Sequence, residues 1–154
     1  MTRLFDLALR LVLTAIHQLL RASWWLRRPK TLGAHALAFT AEGKIILVKL
    51  RYAPGWRLPG GGRAPDEPPV DAALRELREE IGMTAHGEAK LARDFEDTVF
   101  FKRDSASLIV VRDVHYRPRW CLEVEQVCET ATDALPADMP AKVRGWIEDI
   151  APLL

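Results

Sequence analysis

Two hydrophobic periods divide the chain near Pro29. The segment LFDLALRLVLTAIHQLL (4–20) is largely apolar, and in and beside it Arg3, Asp6, Arg10, His17 and Arg21 recur at helical spacing along a narrow polar stripe. This pattern predicts an amphipathic helix, followed by a basic and aromatic connector containing Trp24, Trp25, Arg27, Arg28 and Lys30. Beyond it, AHALAFT (34–40) and KIILVKL (44–50) predict two strands joined by a turn at Ala41-Glu42-Gly43. Apolar or alternating runs near 85–95, 97–102 and 107–116 predict further strands, with Arg103-Asp104-Ser105 as the turn between the last two. A final strand is expected near 119–128. Val143, Trp146, Ile147 and Ile150 predict a helix over 138–150, and Val70, Ala73, Leu74, Leu77 and Ile81 predict another over 70–82, ended by Gly82. The expected organisation is a helical extension over residues 1–30 and one mixed α/β domain over 31–154.

Composition narrows the classes. With 154 residues, 49% hydrophobic and 28% charged, the chain can bury one sizeable core and does not resemble a disordered segment. A net charge of +1 gives no general case for nucleic-acid binding. Cys121 and Cys128 match no zinc spacing and suggest no disulfide framework, so a reducing cytoplasm is expected. The longest uncharged N-terminal run, Leu11 to Leu20, is too short to span a bilayer, and Arg10 argues against a secretory signal. The apolar faces of the first helix still need cover. Packing against its own domain or a second subunit, giving a homodimer, is the preferred expectation, with peripheral membrane contact as the alternative.

Candidate chemistry is concentrated in RLPGGGRAPDEPPVDAALRELREEIGM (57–83), which holds six carboxylates and four arginines. Glu76, Glu79 and Glu80 stand at i, i+3 and i+4, so they share an arc beside the buried stripe of the helix and are expected to converge. Like charges at this spacing oppose stability, whereas a bound cation would favour them. An acidic helix face neutralised by Arg75 and Arg78 is the plainer alternative. The Gly60-Gly61-Gly62 run and Glu67 at the helix entry weigh against it, because glycines there permit close approaches that other residues forbid.

This stretch resembles the Nudix box, G-x5-E-x7-R-E-U-x-E-E-x-G-U with U aliphatic. Gly61, Glu67, Arg75, Glu76, Leu77, Glu79, Glu80, Gly82 and Met83 match every specified position. The resemblance implies a Nudix-type α/β/α sandwich around a mixed β-sheet over roughly residues 32–150. It also implies hydrolysis of a nucleoside diphosphate linked to another moiety, with Mg2+ as cofactor and Mn2+ as a substitute. Glu79 and Glu80 would be the principal ligands, Glu76 would complete the cluster or polarise the water, and the Gly60 carbonyl would add an oxygen. Arg75 would brace Glu79 or Glu67, and Glu67 would support the loop. Family lead-ins often carry an acid after the glycines and a glycine before the box glutamate, where this chain has Arg63-Ala64 and Asp66, a residue able to take a turn conformation.

Outside the box, Glu123 is the candidate further ligand or general base, with Glu125 its rival, although both suit an outward-facing strand position. Lys49, Arg51 and Trp56, together with Gly61 and Gly62, are candidate substrate contacts. The expected partner is a small nucleotide-type molecule and not a nucleic acid. A catalytically silent nucleotide-binding module is the competing reading. It would be expected to have lost one of the acids, and this chain keeps them all.

Overall fold

The computed structural model describes residues 3–27, 30–99 and 102–150, with side chains described over 5–20, 32–96 and 105–150. Among the described residues, three helices, α1 (Arg3–Arg27), α2 (Pro69–Glu80) and α3 (Ala141–Ile150), accompany nine strands. The strands are β1 (Lys30–Ala38), β2 (Ile45–Leu50), β3 (Trp56–Arg57), β4 (Gly60–Gly62), β5 (Met83–Ala85), β6 (Ala89–Val99), β7 (Lys102–Val111), β8 (His115–Tyr116) and β9 (Val124–Thr130). They form sheets ordered β4-β1-β7-β6, β3-β2-β9 and β5-β8. The β1–β7 pair is parallel and the other strand pairs are antiparallel, so the sheet is mixed as expected.

Strand alternation builds the layers. Ala34, Ala36 and Ala38 of β1, Ile46 and Val48 of β2, and Ile109 and Val111 of β7 pack with Ala72, Ala73, Leu74 and Leu77 of α2. Their sequence neighbours Leu37, Ile45, Leu47, Leu108 and Val110 turn the other way, to Ile147 and Ile150 of α3. Small alanines on the α2 side allow that helix to lie close to β1. Proline at the start of α2 fits the first turn, where its missing N–H costs nothing, and Gly82 (φ 74°) follows the Ile81 cap.

Three sequence expectations need correction. Arg103-Asp104-Ser105 is not a turn: these residues continue β7 and pair with Glu96 to Thr98, and the reversal falls between Val99 and Lys102, where Phe100 and Phe101 lie outside the described residues. The polar composition misled because a run of turn-type residues can equally continue a paired strand. The runs near 85–95 and 97–102 are mostly one strand, β6, with a register shift between Leu91 and Arg93. Gly60 to Gly62 form β4, pairing antiparallel with Gly33 to His35, and are not an open loop. Asp66 lies in a turn, as its type allows, without a left-handed backbone; among the described residues the non-glycine residue with positive φ is Asp113.

Gly60 illustrates how tightly β4 approaches β1. Its φ is 149°, and a Cβ there would lie 2.3 Å from the Ala34 carbonyl oxygen. Gly60→Ala should therefore cost roughly 2 kcal/mol or more. Gly145, inside α3, has open space where a Cβ would point. Gly145→Ala should instead stabilise by about 0.5–1 kcal/mol. Urea unfolding of both variants measures the opposite signs.

Candidate active site

Arg75 is the hub of the site. From α2 its Nε donates to Glu67 Oε1 at 2.9 Å, and its two terminal nitrogens reach Glu67 Oε2 at 3.2 Å, the Gly62 carbonyl at 2.9 Å, Glu76 Oε1 at 2.7 Å and Glu79 Oε2 at 3.4 Å. The planar guanidinium suits this fork because its donors diverge in fixed directions. Bonds to Glu67 and Glu76 push its pKa further up, and the same contact holds the Glu67 carboxyl below its ordinary value. Glu67 also accepts from the Ala64 N–H at 3.3 Å, closing the loop that enters α2. Arg75 thus braces Glu67 and Glu79 together, where the sequence left the two as alternatives.

Glu80 is buried and accepts the Gly60 N–H at 2.9 Å, tying the end of α2 to the glycine strand. Desolvation pushes its pKa up to about 8, partly offset by that hydrogen bond, with Glu76, Glu123 and Glu79 adding in the same direction. Burial also raises Glu76 despite the Arg75 contact. Glu76 needs the bare Cα of Gly61, since a Cβ there would come within 2.7 Å of its Oε1. The four acids therefore share one field. Among the described residues the acids are held by separate partners and are not already gathered as a group of three His, Cys, Asp or Glu around one point. Arg75 holds Glu76 and Glu79, while Gly60 holds Glu80. In donor chemistry the set fits a hard divalent cation, being anionic, all-oxygen and backed by a glycine that leaves room for Glu76.

Glu123 and Glu125 take different partners. Tyr52 Oη donates to Glu123 Oε2 at 2.9 Å, and the Arg51 N–H bonds the Glu123 carbonyl at 2.9 Å, fixing this residue ahead of β9 rather than within it. Burial, then Glu123, raises the Tyr52 pKa above its usual range. Glu125 pairs with Arg10 of α1. Arg51 pairs with Asp6 at 3.1 Å, and Lys49 with Asp138 at 3.3 Å while standing over the Trp56 ring. Trp56 itself is half-buried against the α3-side core. A cleft of about 780 Å3 is lined by Lys49, Arg51, Tyr52, Glu125, Asp138 and, from α1, Arg10.

Sequence reasoning missed Tyr52 and the α1 residues in this wall. Nothing in the pattern singles out one tyrosine after a strand, and the stripe containing Asp6 and Arg10 reads as a solvated face until its partners are known. Glu80 has a testable consequence in protein stripped of divalent cations. Its folded pKa lies above the ordinary 4.5, so the stability it contributes is full below pH 4.5 and is lost as pH rises through about 8. Chemical denaturation between pH 5 and 8 in chelator should show a declining limb that Glu80→Gln flattens; parallel profiles would contradict the assignment.

The NUDIX domain family model matches residues 29–150. A Bacillus subtilis (strain 168) protein carrying the provisional name 8-oxo-dGTP diphosphatase is 41% identical over 61 residues, covering 40% of this chain and 41% of that protein. An RNA pyrophosphohydrolase of Gluconacetobacter diazotrophicus is 43% identical over 56 residues, covering 30% and 34% respectively. The chain thus matches less than half the length of either relative. The crystal structure of a MutT NUDIX hydrolase from Burkholderia pseudomallei superposes with a TM-score of 0.67 at 28% identity, covering 79% of this chain and 98% of that one. With a complete box on α2 and a family match over most of its length, the chain belongs to the NUDIX family.

Proposed function

We propose that this protein hydrolyses the pyrophosphate bond of a nucleoside diphosphate linked to a further group, with Mg2+ as the cation and Mn2+ as a substitute. The observation that carries this reading is one face of α2 on which Arg75 and the Gly60 N–H hold Glu76, Glu79 and Glu80 against the glycine strand. A pyrophosphate is inert in water because its anionic oxygens repel an incoming hydroxide. A bound divalent ion supplies charge neutralisation and an activated water. In this reading Glu79, Glu80, Glu76 and the Gly60 carbonyl hold the ion. Arg75 keeps the acids from springing apart, and Glu67 secures the loop.

Glu123 is assigned the proton-accepting role, oriented by the Tyr52 hydroxyl, and Glu125 is set aside because Arg10 engages it. Lys49, Arg51 and Trp56 are assigned to the substrate, with Gly61 and Gly62 allowing close approach of its phosphates. The cleft of about 780 Å3 beside Lys49 and Arg51 has room for part of a nucleotide, and the acids of α2 lie outside its lining. The names of the two matched relatives place the same type of bond in different nucleotide settings, which supports the bond type and leaves the attached group open.

A panel of nucleoside triphosphates, nucleotide sugars, dinucleoside polyphosphates and ADP-ribose, assayed with Mg2+ and read by mass spectrometry, tests the reaction. Products cleaved at the phosphoanhydride are expected. Glu79→Gln and Glu80→Gln should each lower turnover by roughly 100-fold or more, at about 1.4 kcal/mol of barrier per decade. Their circular dichroism should remain that of the parent. Near-normal hydrolysis by either purified variant would remove the ligand assignment, and an inert parent across the panel would return the protein to the nucleotide-binding reading.

A further inference from the structure

The first helix lies on the domain with its polar stripe facing inward. Asp6 meets Arg51 at 3.1 Å, Arg10 meets Glu125, and the His17 ring lies 5.3 Å from that of Tyr52. These residues, with Thr14 at the cleft wall, follow helical spacing and define the inner arc of α1. The opposite arc is turned to solvent: Phe5 is 59% exposed, Leu11 62%, Val12 55% and Leu19 72%, with Leu7 and Ile16 beside them. Asp6 and Arg10 are the charged residues between 5 and 20, and both are spent on the domain, so this outer face carries no charge. A soluble surface rarely leaves so continuous an apolar strip uncovered.

We propose that α1 is a surface-docking element whose outer face enters the headgroup region of an anionic lipid bilayer, while its inner stripe keeps the domain attached. Charge chooses the occupant. Residues 1–30 contain six basic residues and one acidic residue, a net charge of +5 in a chain whose total is +1. Apposing two copies through α1 would bring two such segments together, whereas an anionic surface attracts each basic residue. The sequence places Trp24 and Trp25 among Arg21, Arg27, Arg28 and Lys30, a combination of aromatic and basic residues suited to the interface. No helix among the described residues is long and apolar enough to cross a membrane, so the helix lies in the plane of the surface. This arrangement holds whatever reaction the domain performs.

Flotation of the full chain with vesicles of phosphatidylcholine alone, or with about one third phosphatidylglycerol, tests the proposal. Binding to the anionic vesicles is expected, weakened by salt and reduced at least tenfold in Leu11→Glu/Leu19→Glu. Both positions are exposed, and circular dichroism of the variant checks the fold. A milder variant, Leu19→Ser, should give a smaller loss in the same direction. Absence of binding by the full chain, or equal binding by parent and double variant, would overturn the proposal. So would sedimentation equilibrium showing a dimer without vesicles that the double variant dissociates, because a second copy would then cover the face.

Discussion

One guanidinium holds together groups that would otherwise repel. Arg75 binds Glu67, Glu76 and Glu79 and also the carbonyl of Gly62, so α2, the loop before it and the glycine strand are fastened at a single point. Electrostatically it offsets the burial of Glu76, which alone would drive that carboxyl toward neutrality; structurally it ties α2 to β4 through the Gly62 carbonyl. Removing it would release both constraints together. That coupling explains why so charged a helix can lie against the sheet through Ala72, Ala73 and Leu77 without exposing its core face.

A second constraint complements the first. The glycine strand can pair with β1 only because Gly60 adopts a backbone that a side chain would clash with, and only because Gly61 leaves room for Glu76. The Gly60 N–H is then directed at Glu80, which it partly compensates for desolvation. Packing and chemistry are here the same contacts. Tyr52 and Glu123 meet where β2 ends and β9 begins; α1 reaches this region through Asp6, paired with Arg51, and Arg10, paired with Glu125.

Much of this was legible from residue order. Periodicity marked α2 and α3 and the first two strands, because each buries one face and exposes the other. The box marked Glu67, Arg75, Glu76, Glu79 and Glu80 as one unit, but that Arg75 reaches Glu67 and Glu79 at once, and Glu76 too, was visible only in the structure. Contacts between distant segments were not legible. Tyr52 pairs with a residue 71 positions away, and Arg10 with one 115 positions away. The β6–β7 reversal was misplaced because polar residues at 103–105 continue a paired strand, whereas the sequence Phe100-Phe101 looks like strand interior. The polar stripe of α1 was read correctly as a stripe, but its direction depends on partners that no local pattern contains.

The central claim is that the acids gathered by Arg75 and Gly60 form a cation site. Titration of the metal-free protein with Mn2+, followed by electron paramagnetic resonance of the free ion, measures this without any assumption about substrate. The account predicts saturable Mn2+ binding that Mg2+ displaces and that Glu80→Gln weakens at least tenfold. Binding of unchanged affinity and stoichiometry in Glu80→Gln would contradict it.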